Sequence, residues 1–334
     1  MRTHTAIGLA AGMMVAGTCL AQGHDAPQDS AKTPAKQNDA PARPASPAPP
    51  PEKTPAPVPG NAQLKVQTRV LDRGYANADE LLTALETADA GMTTLTADIV
   101  YDKTFGTAGD RQARVGKLYF QSLPPDVAVP EPGMKRDRRF AIHFETLVVG
   151  QREEADPQIY IFDGTWLLEK RPNDKRFVRR QIVPAGEQFD PLKIGEGPLP
   201  IPIGQRKDDI LSRYDAELLP AADGLTDAKQ LAFVEGAYQL KLIPKPERRH
   251  EDKFAEIRLW YKADKDVGNR LIPRMARTMT SAADLGAQEG DESLVRLVKV
   301  RVNDDIPAGM IDPRPPGEGW DGQIVEFRGG DGGR

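Results

Sequence analysis

Apolar and polar residues alternate along much of this chain between residues 95 and 302. The runs 95–101, 118–120 and 140–144 each place an apolar residue at every second position. Successive side chains of a strand point to opposite faces of a sheet, so this period of two predicts strands with one buried face. In the run 140–144, Phe140, Ile142 and Phe144 face the core, and the residues interleaved with them, Arg139, Ala141, His143 and Glu145, are expected to face solvent.

More strands follow, separated by polar or proline-bearing turns. Predicted strands at 159–162 and 165–168 flank Asp163-Gly164, a dipeptide preferred in two-residue hairpins because both central positions need a positive φ. Five others are predicted at 177–182, 238–243, 254–261, 272–279 and 294–302. Because few helical patterns of crossover length separate them, we expect antiparallel pairing in one large curved sheet or an open barrel, a mainly β fold with a few helices.

Two helices and an unusual loop interrupt the strands. Asn77 can cap a helix, Glu80 follows three residues later, and Gly91 can end it. The apolar face of this helix contains Leu81, Leu82, Leu85 and Ala88. A second helix is predicted over 210–218. Residues 183–206 are rich in proline and glycine yet contain several aliphatic residues between 192 and 203, which is typical of a lid or of a loop packed over the sheet.

The N-terminal part of the chain has the pattern of an exported protein. Arg2 precedes a short apolar run, and small residues precede Gln22, so residues 1–21 are predicted to be a signal peptide cleaved after Ala21. Acylation of Cys19, the only cysteine, is the alternative. Between residues 23 and 62 there are 11 prolines and 9 alanines, which predicts a disordered tether over 22–62. A folded domain over 63–328 and a flexible tail over 329–334 complete the prediction, with the periplasm as compartment.

Charge and motif content disfavour several function classes. The net charge of −4 gives no general attraction for nucleic acid. The sequence contains no HExxH, GxSxG or phosphate-binding GxxxxGK[ST] motif, and the histidines outside the signal, His24, His143 and His250, are isolated from one another. We therefore expect no catalysis, no metal and no cofactor. A secreted hydrolase is the least favoured alternative.

The order of these features resembles the LolA-type periplasmic lipoprotein carriers and their relatives. The resemblance begins with the helix and Leu95-Thr96-Ala97-Asp98, and continues through Gly116-Lys117-Leu118-Tyr119-Phe120 and Arg136-Asp137-Arg138-Arg139-Phe140. It then includes Asp163-Gly164-Thr165-Trp166-Leu167 with Pro172, Leu242-Ile243-Pro244-Lys245, and the strands 254–259 and 297–303. Asp137 stands where the family has proline.

This resemblance implies an open antiparallel half-barrel with a helical or loop lid that binds lipoprotein acyl chains for transfer between the inner and outer membranes. Acylated lipoproteins or lipid, an inner-membrane release complex and an outer-membrane receptor are the implied partners of a monomer. The implied lid-locking arginine is Arg136, with Arg138 and Arg139 as alternatives. A lipid-sensing regulatory or interaction domain of the envelope is the second hypothesis. The implied lipid-binding residues are Leu95, Ile99, Leu118, Phe120, Phe140, Ile142, Phe144, Trp166, Leu168, Leu199, Ile201 and Ile203.

Overall fold

Strands account for most of the secondary structure. The computed structural model describes residues 74–123, 137–183, 194, 203–250, 252–263, 265–281 and 290–326. The strands are β1 (Thr94–Thr104), β2 (Arg111–Leu123), β3 (Asp137–Val149), β4 (Arg152–Phe162), β5 (Trp166–Arg171), β6 (Arg176–Gln181), β7 (Tyr214–Leu219), β8 (Tyr238–Pro244), β9 (Glu256–Lys262), β10 (Ile272–Met279), β11 (Glu292–Val302) and β12 (Asp321–Val325). The α-helices are α1 (Ala78–Leu85), α2 (Lys207–Leu211) and α3 (Ala228–Phe233).

All the described strands belong to one sheet of 12 strands, in the order β12-β6-β5-β4-β3-β2-β1-β11-β10-β9-β8-β7. The sheet is open, with β12 and β7 at its two edges. Neighbouring strands pair antiparallel except β12, which pairs parallel with β6. The predicted fold class, a mainly β protein with an open antiparallel half-barrel, is confirmed.

One face of the sheet, here called the inner face, carries the apolar residues predicted for the core. Strand register places Leu95 opposite Phe120, Leu118 opposite Ile142, and Ile99 opposite Leu297, so these residues share that face across four strands. Each of them is at most 3% exposed. On this side α1 packs against β7 and α2, and it contributes the buried residues Leu81, Leu82 and Leu85.

The opposite face, here called the outer face, is not the solvent-facing surface that the alternation predicted. Ala141 is buried in a cluster with Tyr119, Ile161 and Leu168, over which Ile306, Met310 and Ile311 pack after β11. Nearer the β7 edge, Trp260 and Met275 are buried against residues around α3. The prediction failed because two segments after or between the strands cover this face, and a strand pattern does not report what other segments pack on it.

Local predictions had mixed outcomes. Asn77 Oδ1 accepts from the Glu80 backbone N–H at 3.0 Å, as expected of an N-cap, but α1 ends at Leu85, well before Gly91. The second helix was predicted too long, because Tyr214 and the residues after it form β7 and pair with β8. In the β4–β5 hairpin only Gly164 has a positive φ. None of the helices in the described part of the chain is long and apolar enough to span a bilayer.

Candidate functional site

The inner face brings together most of the residues predicted to bind lipid. Seven of them lie on β1, β2 and β3, and an eighth, Ile203, lies just before α2; all eight are buried. They are Leu95, Ile99, Leu118, Phe120, Phe140, Ile142, Phe144 and Ile203. Leu199, Ile201 and Arg136 lie outside the described residues. The seven strand residues share the inner face, whereas Ile203 is the last residue of the predicted lid. Because all seven are buried, a ligand can reach them only if the residues that cover them move.

Two predicted lining residues, Trp166 and Leu168, lie on the outer face instead. Phe162 on β4 faces inward and pairs with Leu167, while Leu168 pairs with the outward-facing Ile161. Since directly paired residues of antiparallel strands share a face, Leu167 takes the inner position and its two neighbours point outward. The Trp166 ring instead contacts the Arg179 guanidinium, 4.2 Å from the ring centroid.

Sequence reasoning also missed half of the inner surface. Tyr160 and Phe162 extend it on β4, and the strands on the other side of β1 contribute Leu240, Leu242, Ile257, Leu259, Val295 and Leu297, all at most 2% exposed. The same period of two was present in these strands. This period would have identified the missed residues if each strand's apolar positions had been assigned to one face of the sheet.

Arg138, at the start of β3, links the sheet to two other segments, the residues just after α1 and those just before α2. Its Nη1 donates to the Ile203 carbonyl at 3.0 Å, and its Nη2 donates to Asp89 Oδ2, just after α1, at 2.7 Å. The Arg138 side chain is 13% exposed and that of Asp89 is 17% exposed, so solvent screens the pair only weakly. Arg138 therefore contacts Ile203, the last residue of the predicted lid segment (192–203), while Arg136 lies outside the described residues. Arg139 pairs with Asp137.

The residues that follow Ile203 are tied to α1 as well. A Cβ at Gly204 would lie 2.2 Å from the Asp89 Cγ atom, so only glycine allows this close approach. The Lys207 backbone N–H donates to Glu86 Oε1 at 2.9 Å, and Lys207 Nζ lies 2.6 Å from Asp79 Oδ1. A hydrogen bond and an ion pair therefore hold the start of α2 against α1.

A second arginine holds the predicted lid segment near its other end. Arg213, just before β7, donates from Nη1 to the Ile194 carbonyl at 2.9 Å. Asp252 lies 3.5 Å from Arg213 Nη2 and accepts a hydrogen bond from the Tyr214 hydroxyl. Partial burial lowers the pKa of the adjacent Lys253. Ile194 and Ile203 are thus each fixed through a backbone carbonyl, while both side chains are buried.

The end of the inner surface around Tyr101 and Tyr160 is polar, with Arg114 opposite Tyr101 and Glu169 opposite Tyr160 in the strand register. The Tyr101 hydroxyl is 3.0 Å from Ser293 Oγ, and the Tyr160 hydroxyl donates to Gln158 Oε1 at 3.2 Å. Burial raises the pKa of both phenols, so they stay neutral at physiological pH. This end offers hydrogen-bonding groups next to an apolar surface.

Other polar sites in the described part of the chain are less suited to a ligand. A groove on the outer face is lined by Asp102, Arg111, Glu292 and neighbouring residues, but Asp102 is already paired with Arg111 and Arg296. Among the residues with described positions, no three His, Cys, Asp or Glu side chains are grouped as metal ligands would be. The inner surface is the candidate site.

No family model matches the sequence, and no curated protein matches it. Solved structures that a structural comparison finds similar include a DUF1329 family protein from Desulfovibrio piger, with 14% identity and a TM-score of 0.32 over 70% of this chain and 95% of that one. A putative outer membrane lipoprotein-sorting protein domain from Vibrio parahaemolyticus has 12% identity and a TM-score of 0.30, over 70% and 96% of the two chains.

A LolA superfamily protein from Nitrosomonas europaea has 9% identity and a TM-score of 0.25, over 71% of this chain and 98% of that one. The likeness concerns the fold and says nothing about what this chain binds.

Proposed function

We propose that the protein is a non-catalytic periplasmic carrier that takes lipoprotein acyl chains onto its inner apolar surface and transfers them between the inner and outer membranes. The observation that carries the proposal is that Arg138, next to the buried apolar inner face, hydrogen-bonds the Ile203 carbonyl and Asp89. In the proposal, these bonds hold a cover over that face. The sequence resemblance to LolA-type carriers points in the same direction.

The physical argument starts from the cost of carrying lipid through water. Burying each methylene group is worth about 0.8 kcal/mol, so an acyl chain stays on a water-soluble protein only if an apolar surface shields it. The inner face supplies aromatic and aliphatic side chains on β1 to β4 and β8 to β11. Without a ligand those side chains need a cover of their own, and α1 with the predicted lid segment is suited to that role.

The fastening of the cover is suited to reversible opening. A hydrogen bond to a charged group contributes about 1.5–3 kcal/mol, so the Arg138 and Arg213 contacts with two carbonyls favour the closed state by a modest amount. Acyl-chain burial exceeds that amount within a few methylene groups. When an acyl chain enters, it takes the place of the cover against the inner face.

The proposal is tested by lipid content and uptake. Native mass spectrometry of the protein purified from its host should show bound lipid or lipoprotein, and the delipidated protein should take up a diacylated or triacylated peptide. Failure of the folded, delipidated protein to take up any acylated peptide would overturn the carrier function. Crosslinking that returns a membrane-bound regulator in place of lipoproteins would instead favour the lipid-sensing alternative.

A matched pair of variants tests the Arg138 contact. Arg138→Leu removes bonds made only with the cover closed, so it should raise the affinity for acylated peptide by about tenfold, the equivalent of about 1.4 kcal/mol. Arg139→Leu is the control, because the partner of Arg139 among the described residues is Asp137. Equal effects of the two substitutions would contradict a specific role of Arg138.

A further inference from the structure

The two edge strands of the sheet differ in how much of them is covered. β7 is packed against α1 and α2, whereas all five residues of β12 are exposed. Ile324 is 56% exposed and Val325 is 45% exposed. Edge strands are usually protected by lysine, proline or a covering segment, because their unpaired backbone groups accept another strand. β12 contains neither lysine nor proline.

The backbone groups that β12 offers can be assigned residue by residue. The Asp321 N–H donates to the Lys175 carbonyl at 2.9 Å, so the backbone groups of Asp321 point toward β6. In a strand the N–H and C=O groups of alternate residues point to opposite sides. Gly322 and Ile324 therefore direct their N–H and C=O groups away from the sheet.

We propose that β12 pairs antiparallel with β12 of a second copy of this chain, through these outward groups. A two-fold axis through Gln323 places Gly322 opposite Ile324 of the second copy as a hydrogen-bonded pair, and reciprocally. The interface is then formed by one segment used twice. It joins two open sheets at their unprotected edges, and it replaces the expectation of a monomer.

Side chains on the outer face fit this register. Gly322 lies against the Phe177 ring, and a Cβ at residue 322 would be only 2.0 Å from ring atom Cε1. Ile324 of the second copy, directly opposite Gly322, would meet the exposed side of the same ring. A glycine beside an aromatic ring leaves room for an aliphatic side chain from the neighbouring strand, and this arrangement stabilises strand pairs.

A second copy fits better than the chain's own proline-rich stretch, because proline has no N–H to donate to an edge. Pairing two strands of five residues each buries much less than the roughly 1,600 Å² of a standard interface. The association should therefore be weak and become visible only as the concentration approaches the order of 1 mM.

Sedimentation equilibrium of the folded protein should show a reversible monomer–dimer equilibrium. Ile324→Ser should weaken the association by about tenfold or more, since Ile324 meets Phe177 of the other copy. Val325→Ser removes a similarly exposed side chain on the other face and should change the association less than about twofold. A folded protein that stays monomeric at the highest concentration, or equal effects of both substitutions, would overturn the proposal.

Disulfide trapping tests the register directly. In a Cys19→Ser background, Gln323→Cys places two thiols across the two-fold axis in a non-hydrogen-bonded pair, at a separation that suits a disulfide. Mild oxidation should give a covalent dimer. Ile324→Cys is the control, because its thiol lies opposite Gly322 and not opposite its own copy. Equal crosslinking of both variants would contradict this register.

Discussion

The Arg138 guanidinium donates to the Ile203 carbonyl at 3.0 Å and thereby links the first residues of β3 to the residues that precede α2. The same guanidinium holds Asp89, and the Asp89 carboxylate in turn lies against Gly204. Three segments far apart in sequence therefore meet at one arginine. Substitutions at any of the three should affect the stability of this junction.

Gly204→Ala tests this junction at the backbone. Gly204 has a φ of +63°, and a Cβ there would clash with the Asp89 carboxylate. The control is Gly150→Ala, because Gly150 has a φ of +62° and no atom lies within 4 Å of the added Cβ. Its loss of stability measures the backbone cost alone, about 1 kcal/mol or somewhat more. Gly204→Ala should lower the free energy of unfolding by about 1–3 kcal/mol beyond that. Urea denaturation of both variants gives the difference; equal losses would show that Asp89 adjusts freely.

Arg213 and Asp252 should behave as a coupled pair. The Asp252 side chain is 4% exposed, so removal of its arginine leaves a buried carboxylate with fewer partners. Arg213→Met should cost about 3–5 kcal/mol of stability, and adding Asp252→Asn should recover part of that loss, because the amide carries no charge. A double-mutant cycle by thermal or urea unfolding measures the coupling. Additive losses would mean that Arg213 contributes to stability independently of Asp252.

Most of the sheet was predictable from the sequence, because the period of two identifies a strand wherever one face is apolar. Ile272–Met279 was predicted with its observed ends. β7 was mistaken for helix because Ile210, Tyr214 and Leu218 also fit a helical spacing, and pairing with β8 decides between the two. β12 was not predicted, since its five residues are exposed and carry no alternation.

The candidate site was predictable only in part, for a related reason. Alternation shows that Leu167 and Leu168 face opposite ways, but it does not show which of them faces inward until Phe162 is paired across the hairpin. Arg138 could be named among three arginines, but its partners could not be predicted, because Asp89 and Ile203 are 49 and 65 residues away in sequence. Long-range pairing carries information that a local pattern lacks.

His143 should make stability depend on pH. Burial lowers its pKa from the usual 6.5, nearby Lys170 lowers it further, and the Met310 carbonyl and Glu145 oppose the shift. The unfolded chain then binds the proton more readily than the folded one, so stability falls as pH drops below 6.5 toward the lower folded value, and levels off beneath it. Urea denaturation at about pH 7.5 and about pH 5 should show a larger loss for the natural chain than for His143→Gln. Parallel pH profiles would contradict this prediction.

The position of an acyl chain relative to the two faces can be read from tryptophan fluorescence. Trp166 and Trp260 lie on the outer face, and Trp320 precedes β12, so a brominated acyl chain bound on the inner face should quench the natural fluorescence little. Phe144→Trp puts an indole on the inner face, where the same ligand should quench it strongly, since bromine quenches only at short range. Leu168→Trp serves as the outer-face control. Strong quenching of the natural protein, or of Leu168→Trp as much as Phe144→Trp, would place the ligand on the outer face and exclude the inner surface as its site.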